Sequence, residues 1–190
     1  MRMIMDAEHE PFRGQQYKVG GLIIWGFSHH RGPDDADTPD FTYRTVTNLA
    51  LSGEHWFFNR IRRFFGDQEP NAFWNSVAFA NTLPTAVPSD TRYSDGTAEQ
   101  RGHVKRRVRR ILTELRPGRA VLFSTKGWPL WPELNGSVPE PAQVLMTGPE
   151  LRYGTYDFGT GSEIKAFSLP HPMLQTDVAM KERVQRLMAH

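Results

Sequence analysis

Three short polar stretches of this chain carry side chains able to do chemistry, and each directly follows an apolar run. Gly26-Phe27-Ser28-His29-His30 follows the first, Asn81 the second and His171-Pro172 the last. A side-chain amide presents a donor and an acceptor side by side, and a neutral imidazole donates at one nitrogen and accepts at the other. Taken singly, such residues are most often structural: an asparagine after a strand forms a turn, and a histidine serves as a hydrogen-bonded support. A fourth feature is electrostatic. Arg101, Lys105, Arg106, Arg107, Arg109, Arg110, Arg116 and Arg119 stand close together against one acid, Glu114, while Asp34, Asp35, Asp37 and Asp40 gather in a loop. The commoner reading of a basic helix of this kind is a solvated flank; the alternative is a surface for phosphates.

The elements that must position these residues follow from apolar periodicity. Val19 to Trp25 is a near-continuous apolar run ending at Gly26, the pattern of a strand covered on both faces. The long loop from Phe27 to Asp40 follows it, and loops of that length inside a domain are usually functional or mobile. Two helical patterns come next, through Tyr43, Val46, Leu49 and Ala50 and through Phe57, Ile61, Phe64 and Phe65, with Gly53 between them. Asn71 to Leu83 reads as a turn carrying Phe73 and Trp74 and a brief strand, Val77 to Ala80. Thr97 with Gln100 is a capping-box pair opening a helix whose Val104, Val108, Ile111, Leu112 and Leu115 share a face, leaving the cations mostly on the others. Ala120 to Ser124, Ala142 to Thr147 and Glu163 to Leu169 are further strands, with an aromatic hairpin over Leu151 to Phe158. One short helix at most fits the Pro-rich stretch to Pro141, and Asp177 to Ala189 is a terminal helix with Met180, Val184, Leu187 and Met188 on one face. Alternating strands and helices predict one α/β domain over residues 1–190, a three-layer α/β/α sandwich around a mainly parallel sheet, which the family resemblance below implies to be four-stranded. Its site is then expected beyond the strands' C-terminal ends.

In this order the strand-end residues resemble the uracil-DNA glycosylase superfamily, in particular its glycosylase-like branch, over roughly Val19 to Met173. The supports are the strand ending in Gly26 with Ser28-His29-His30, the stretch Phe73-Trp74-Asn75-Ser76-Val77-Ala78-Phe79-Ala80-Asn81, Arg116-Pro117 before the third strand, and His171-Pro172. The resemblance implies a DNA glycosylase that takes a base out of the stack, reads its edge and stabilises its departing charge. It implies Asn81 as the base reader, with Phe27, His29 and Phe41 lining the base, and His171 as the stabiliser of the leaving base. Phe41 has core packing as its alternative. Where the well-studied uracil enzymes place a water-positioning acid or asparagine, this chain has Phe27-Ser28. Ser28 can then only hold the water, with His30 as a polar wall and Asp34 or Asp35 as reserve acid. Met173 or Leu174 offers an apolar wedge for the space a flipped base leaves. The DNA backbone, single- or double-stranded, would run along Lys105, Arg106, Arg109 and Arg110, or along Arg60, Arg62 and Arg63.

Composition excludes other classes. The 190 residues contain no cysteine, which removes thiol nucleophiles and thiolate metal sites. Lys126-Gly127 lacks the spacing of a phosphate loop, and the adjacent His29 and His30 match no metal-ligand spacing, so neither a metal nor another cofactor is expected. No apolar run approaches the roughly 20 residues needed to span a bilayer, and the charged stretch Met1 to Arg13 is unlike a signal peptide; the expectation is a soluble cytoplasmic protein with no membrane partner. Two rivals to the glycosylase reading stand: a nonhydrolytic module that binds a nucleobase or nucleic acid on the same fold, favoured by Phe27-Ser28, and a plain α/β interaction protein.

Overall fold

Alternation along the strands decides the architecture. In β2 (Leu22–Gly26), Ile23 and Trp25 enter one hydrophobic core and Ile24 enters another, so the strand is buried on both faces. The same division runs through β4 (Ala78–Asn81), β6 (Arg119–Leu122) and β8 (Ile164–Ser168). The computed structural model describes residues 8–91, 95–133, 152–157, 161 and 163–190. The strand expected at Ala142 to Thr147 lies outside them, as do residues 134–141 of the Pro-rich stretch.

The chain is an α/β protein whose sheet has the order β1-β4-β2-β6-β8-β7. The inner four strands are mutually parallel, while β1 (Phe12–Arg13) pairs antiparallel with β4 and β7 (Arg152–Tyr156) antiparallel with β8. Among the described residues the expected four-stranded sheet is therefore a mixed sheet of six strands. A parallel edge leaves a row of backbone donors and acceptors unpaired, and on each side a short antiparallel segment fills it. A separate two-residue pair, β3 (His30–Arg31) with β5 (Val87–Pro88), joins the long loop after β2 to the segment after β4. Val19, placed in the first strand by its apolar run, is instead exposed in the turn before it.

Helices cover both faces. On one, Ala78, Ala80, Ala120 and Ala166 present almost no bulk, leaving room for helix α4 (Ala98–Leu115) and for the indoles of Trp25, Trp128 and Trp131. Both bonds of the capping box between Thr97 and Gln100 are formed at the start of α4. On the other face, Phe79, Val121 and Phe167 meet α1 (Phe41–Thr45, continuing as a π-turn over Val46–Ala50), α2 (Trp56–Phe65), α3 (Pro70–Ser76) and α5 (Asp177–Ala189). The turn expected around Phe73 and Trp74 is α3, started by Pro70, whose fixed φ suits a first helical position. Gly53 at φ +73° separates the first two helical segments. Met188 lies on the flank of α5 rather than in the core, 37% exposed. No helix among the described residues is long and apolar enough to cross a membrane.

Two glycines test this packing in opposite directions. A Cβ at Gly14 would overlap the main-chain carbonyls of Trp74 and Asn75, whereas one at Gly102 in α4 meets nothing. Thermal or denaturant unfolding of Gly14→Ala is expected to show a loss of roughly 1–3 kcal/mol. Gly102→Ala is expected to gain roughly 0.5–1 kcal/mol, because alanine loses less backbone freedom in a helix.

Candidate active site at the strand ends

Strand register places Asn81 directly beside Gly26, at the C-terminal ends of the two central parallel strands. The Asn81 side chain lies across Gly26, where Oδ1 occupies the space a Cβ would need. Beyond this pair the chains stay together: Thr82 N–H donates to Gly26 O (3.0 Å) and Leu83 N–H to Phe27 O (2.9 Å). Asn81 is buried, and its Nδ2 has no hydrogen-bond partner among the described residues.

The loop after β6 closes on the same place. Gly127 abuts the Phe27 ring, and Lys126 Nζ sits 4.8 Å from that ring's centroid while pairing with Asp95 (2.7 Å). The end of β8 is tied in by Ser168 Oγ–H donating to Ser124 O (3.1 Å) and Leu169 N–H donating to Leu122 O (2.8 Å). His171 follows, packed against Phe57 and Trp56 at 5.7 and 6.3 Å between ring centroids. Its Nδ1 accepts the Met173 N–H (3.3 Å), which leaves the ring proton on Nε2. Burial, followed by the charges of Lys126 and Arg60, lowers its pKa below the usual 6.5, so the ring is neutral at pH 7. Phe27, Asn81, Lys126 and His171 thus lie on the segments that leave the ends of four parallel strands, with Lys126 against Phe27 and its charge felt at His171. Lys126 was considered in the sequence only as part of a missing phosphate loop; its place over Phe27 is set by strand order, which no local motif encodes.

The other sequence candidates divide. Ser28 is half-buried in the loop leaving Phe27; His30 lies exposed on β3, and Asp34 is on an exposed turn. The carboxylate of this loop that turns inward is Asp37, which accepts from His9 Nε2 (2.5 Å) and the Ala86 N–H (3.2 Å). Burial pushes the Asp37 carboxyl up, but His9, the Ala86 amide and Arg31 outweigh it and hold the pKa below the usual range. His29 is buried, with Nε2 3.0 Å from Thr42 Oγ1. Phe41 is buried as well: His9 stacks on it at 5.0 Å and 8° and the Arg44 guanidinium lies 5.3 Å from its ring, the surroundings of a packing residue. Trp128 and Trp131, weighed as base stackers against core packing, are buried beside Trp25.

On α4, Lys105 pairs with Glu133 (3.3 Å), and Arg110 pairs with Glu8 (2.7 Å), Glu10 (3.0 Å) and Glu114 (3.5 Å). Arg106 reaches His103 Nδ1 (2.6 Å), and Arg109 is exposed. Arg107 departs from the expectation of an outward-facing basic helix: it is buried, donating to Asn81 O (3.0 Å), His9 O (2.6 Å) and Glu8 Oε1 (2.9 Å). Its position one turn after Val104 on the apolar stripe was the available signal. Among the described residues no group of three or more His, Asp or Glu side chains is disposed to hold a metal ion. No protein-family model matches the chain, and no curated protein matches it.

The buried histidines make stability depend on pH. Burial, then the neighbouring His9, Arg107 and His30, lowers the His29 pKa well below 6.5. Between the two pKa values the unfolded chain holds the extra proton, so stability falls as pH drops below about 6.5. His55 and His171, also lowered, act with the same sign. Denaturant titrations are expected to give level stability between pH 7.5 and about 9 and a decline below 6.5 of up to about 1.4 kcal/mol per pH unit from His29, with smaller parts from the less buried His55 and His171. His29→Gln should make that decline shallower; an unchanged slope would exclude His29 as a contributor.

Proposed function

We propose that the protein recognises a nucleobase in the strand-end crevice and, in the manner of a uracil-DNA glycosylase, hydrolyses the N-glycosidic bond of uracil or another modified base in DNA. The observation that carries this reading is the Asn81 amide, buried at the end of a central parallel strand with its Nδ2 donor unmatched among the described residues. Leaving a buried donor unmet costs roughly 1–3 kcal/mol, a cost removed when a ligand carbonyl accepts from it. The four parallel inner strands with helices on both faces support the glycosylase-like fold that the sequence resemblance implies.

In this reading Phe27 lines the base while Asn81 reads its edge, Nδ2 donating to a carbonyl and Oδ1 accepting an N–H. The bond from the sugar C1′ to the base nitrogen breaks with its electron pair passing to the base. Charge builds on the base oxygens, where the His171 Nε2–H donates and the Lys126 ammonium adds a positive field. Water held by Ser28 adds its oxygen to the oxocarbenium-like C1′ and gives its proton to solvent. DNA is the partner, with no metal or other cofactor required by these steps.

The second reading, a nonhydrolytic nucleobase-binding module, is favoured by one observation: Asp37, the carboxylate that turns inward from the loop after β2, is already held by His9 and the Ala86 amide. Base release from single- and double-stranded oligonucleotides carrying uracil, hypoxanthine, xanthine or hydroxymethyluracil separates the two. Hydrolysis is expected to be lost in Asn81→Ala and reduced about 10²–10³-fold in His171→Ala, the usual effect of removing one charge-stabilising donor. Because the His171 pKa lies below 6.5, its ring is a neutral donor at pH 7, and titration of this group should leave the wild-type rate level between about pH 7 and 9. Tight binding of the modified oligonucleotide without release would assign the module; activity unaffected by both substitutions would remove the site.

A further inference from the structure

Tryptophan is divided unequally in this molecule. Trp25, Trp74, Trp128 and Trp131 are each at most 1% exposed, whereas Trp56 is 47% exposed. Trp56 opens α2, its indole 6.3 Å from the His171 ring. Beside it, on the turn Pro172–Leu174 that packs on α2, Met173 and Leu174 are 64% and 70% exposed. Three large apolar side chains therefore stand in water at the rim of the crevice. Their support is rigid: Arg60, one turn along α2, donates to Asp177 Oδ1 (2.6 Å) and Gln175 O (2.8 Å), fastening the segment after His171 to the helix.

We infer that Trp56 is a stacking platform for an unpaired base flanking the one held at Asn81, with Met173 and Leu174 as its apolar border, so that the preferred ligand is single-stranded nucleic acid. This rests on the nucleobase reading of the crevice and adds the strand state of the ligand to it. Two observations select a nucleic-acid strand as the occupant. The platform is continuous with the crevice through the Trp56–His171–Phe57 ring contacts, so a neighbouring nucleotide reaches it without a new path. And α2, which carries it, holds Arg60, Arg62 and Arg63 and no acid, matching a polyanion. A flat indole takes any base through its π-face, but a base inside a duplex has both faces covered by its neighbours, which is why the platform selects unpaired strands.

Because the other four indoles are buried away from a surface ligand, they add a constant background, and a ligand-dependent change in tryptophan fluorescence reports Trp56. Titration with a short single-stranded oligothymidylate is expected to quench the wild-type emission, with an affinity that falls steeply as salt is raised. A blunt duplex of the same length should bind more weakly and quench little. Trp56→Phe keeps a stacking ring and should hold the affinity, followed by anisotropy of a labelled strand, while removing the quenching. Trp56→Ala and Trp56→Leu should weaken binding about 5- to 100-fold, the range for loss of one base–aromatic stack. Wild-type affinity in Trp56→Leu, or equal quenching by the duplex, would overturn the platform. So would emission that depends on protein concentration alone, since the patch would then join two copies of the chain. Base release in Asn81→Ala tests the crevice by itself, whereas strand binding in Trp56→Leu tests the platform. Loss of Trp56-dependent binding with Asn81-dependent base release retained would overturn the platform and spare the site.

Discussion

A guanidinium with no route to water must find its partners inside the protein, and Arg107 imposes that condition on three parts of this fold. Helix α4 carries it, the end of β4 accepts from it through the Asn81 carbonyl, and the segment before β1 accepts through His9 O and Glu8. Burial pulls its pKa down to about 10 against the support of Glu8, so it remains a cation at neutral pH. Removing one partner of such a buried pair leaves the other uncompensated, commonly a loss of about 3–5 kcal/mol. The arrangement accordingly fixes where α4 lies on the sheet, where β4 stops, and how the first described residues cross the strand ends. Asn81 is held by its main chain on one side and by contact with Gly26 on the other, which leaves its amide little freedom.

The crevice follows from that constraint and from the parallel sense of the inner strands. Parallel strands bring four loop starts to one edge, and loops leaving that edge can place side chains distant in sequence within reach of each other. Here Phe27, Asn81, Lys126 and His171 come from four different strand ends. Polar groups in the neighbourhood are kept neutral or paired: His29 and His171 are shifted toward the uncharged ring, while Asp37 and Arg110 are engaged by opposite charges or donors. Nδ2 of Asn81 is unmatched among the described residues, as are Nη2 of Arg107 and Nδ1 of His9 near it, while the indole of Trp56 is exposed beside His171.

Local pattern was sufficient where neighbours in sequence are also neighbours in space. The capping box at Thr97, the stripe from Val104 to Leu115 and the terminal helix Asp177–Ala189 all depend on interactions within a few residues, and each is found where periodicity puts it. The apolar runs before Gly26, Asn81 and Ser124 likewise become the inner strands. The two-residue edge strand β1 has too little periodicity to register, and Arg152–Tyr156, expected as part of an aromatic hairpin over Leu151 to Phe158, pairs as one edge strand with β8. Their strand state comes from a neighbour's unpaired backbone. Asp34 and Asp37 are the same residue type three positions apart, and only the folded loop turns one outward and the other onto His9.

What the amino-acid order alone determined is the α/β alternation, the strands' double-sided burial and the polar residues that follow them, because hydrophobic period and capping chemistry are local. Tertiary structure decided which of those residues meet. It buried Arg107 although Lys105, Arg106 and Arg109 on α4 are exposed, packed Phe41 against His9 and Arg44, and set Lys126 over Phe27. Each of those outcomes depends on contacts between segments dozens of residues apart, whose energies are set by strand order and burial rather than by any short stretch of chain.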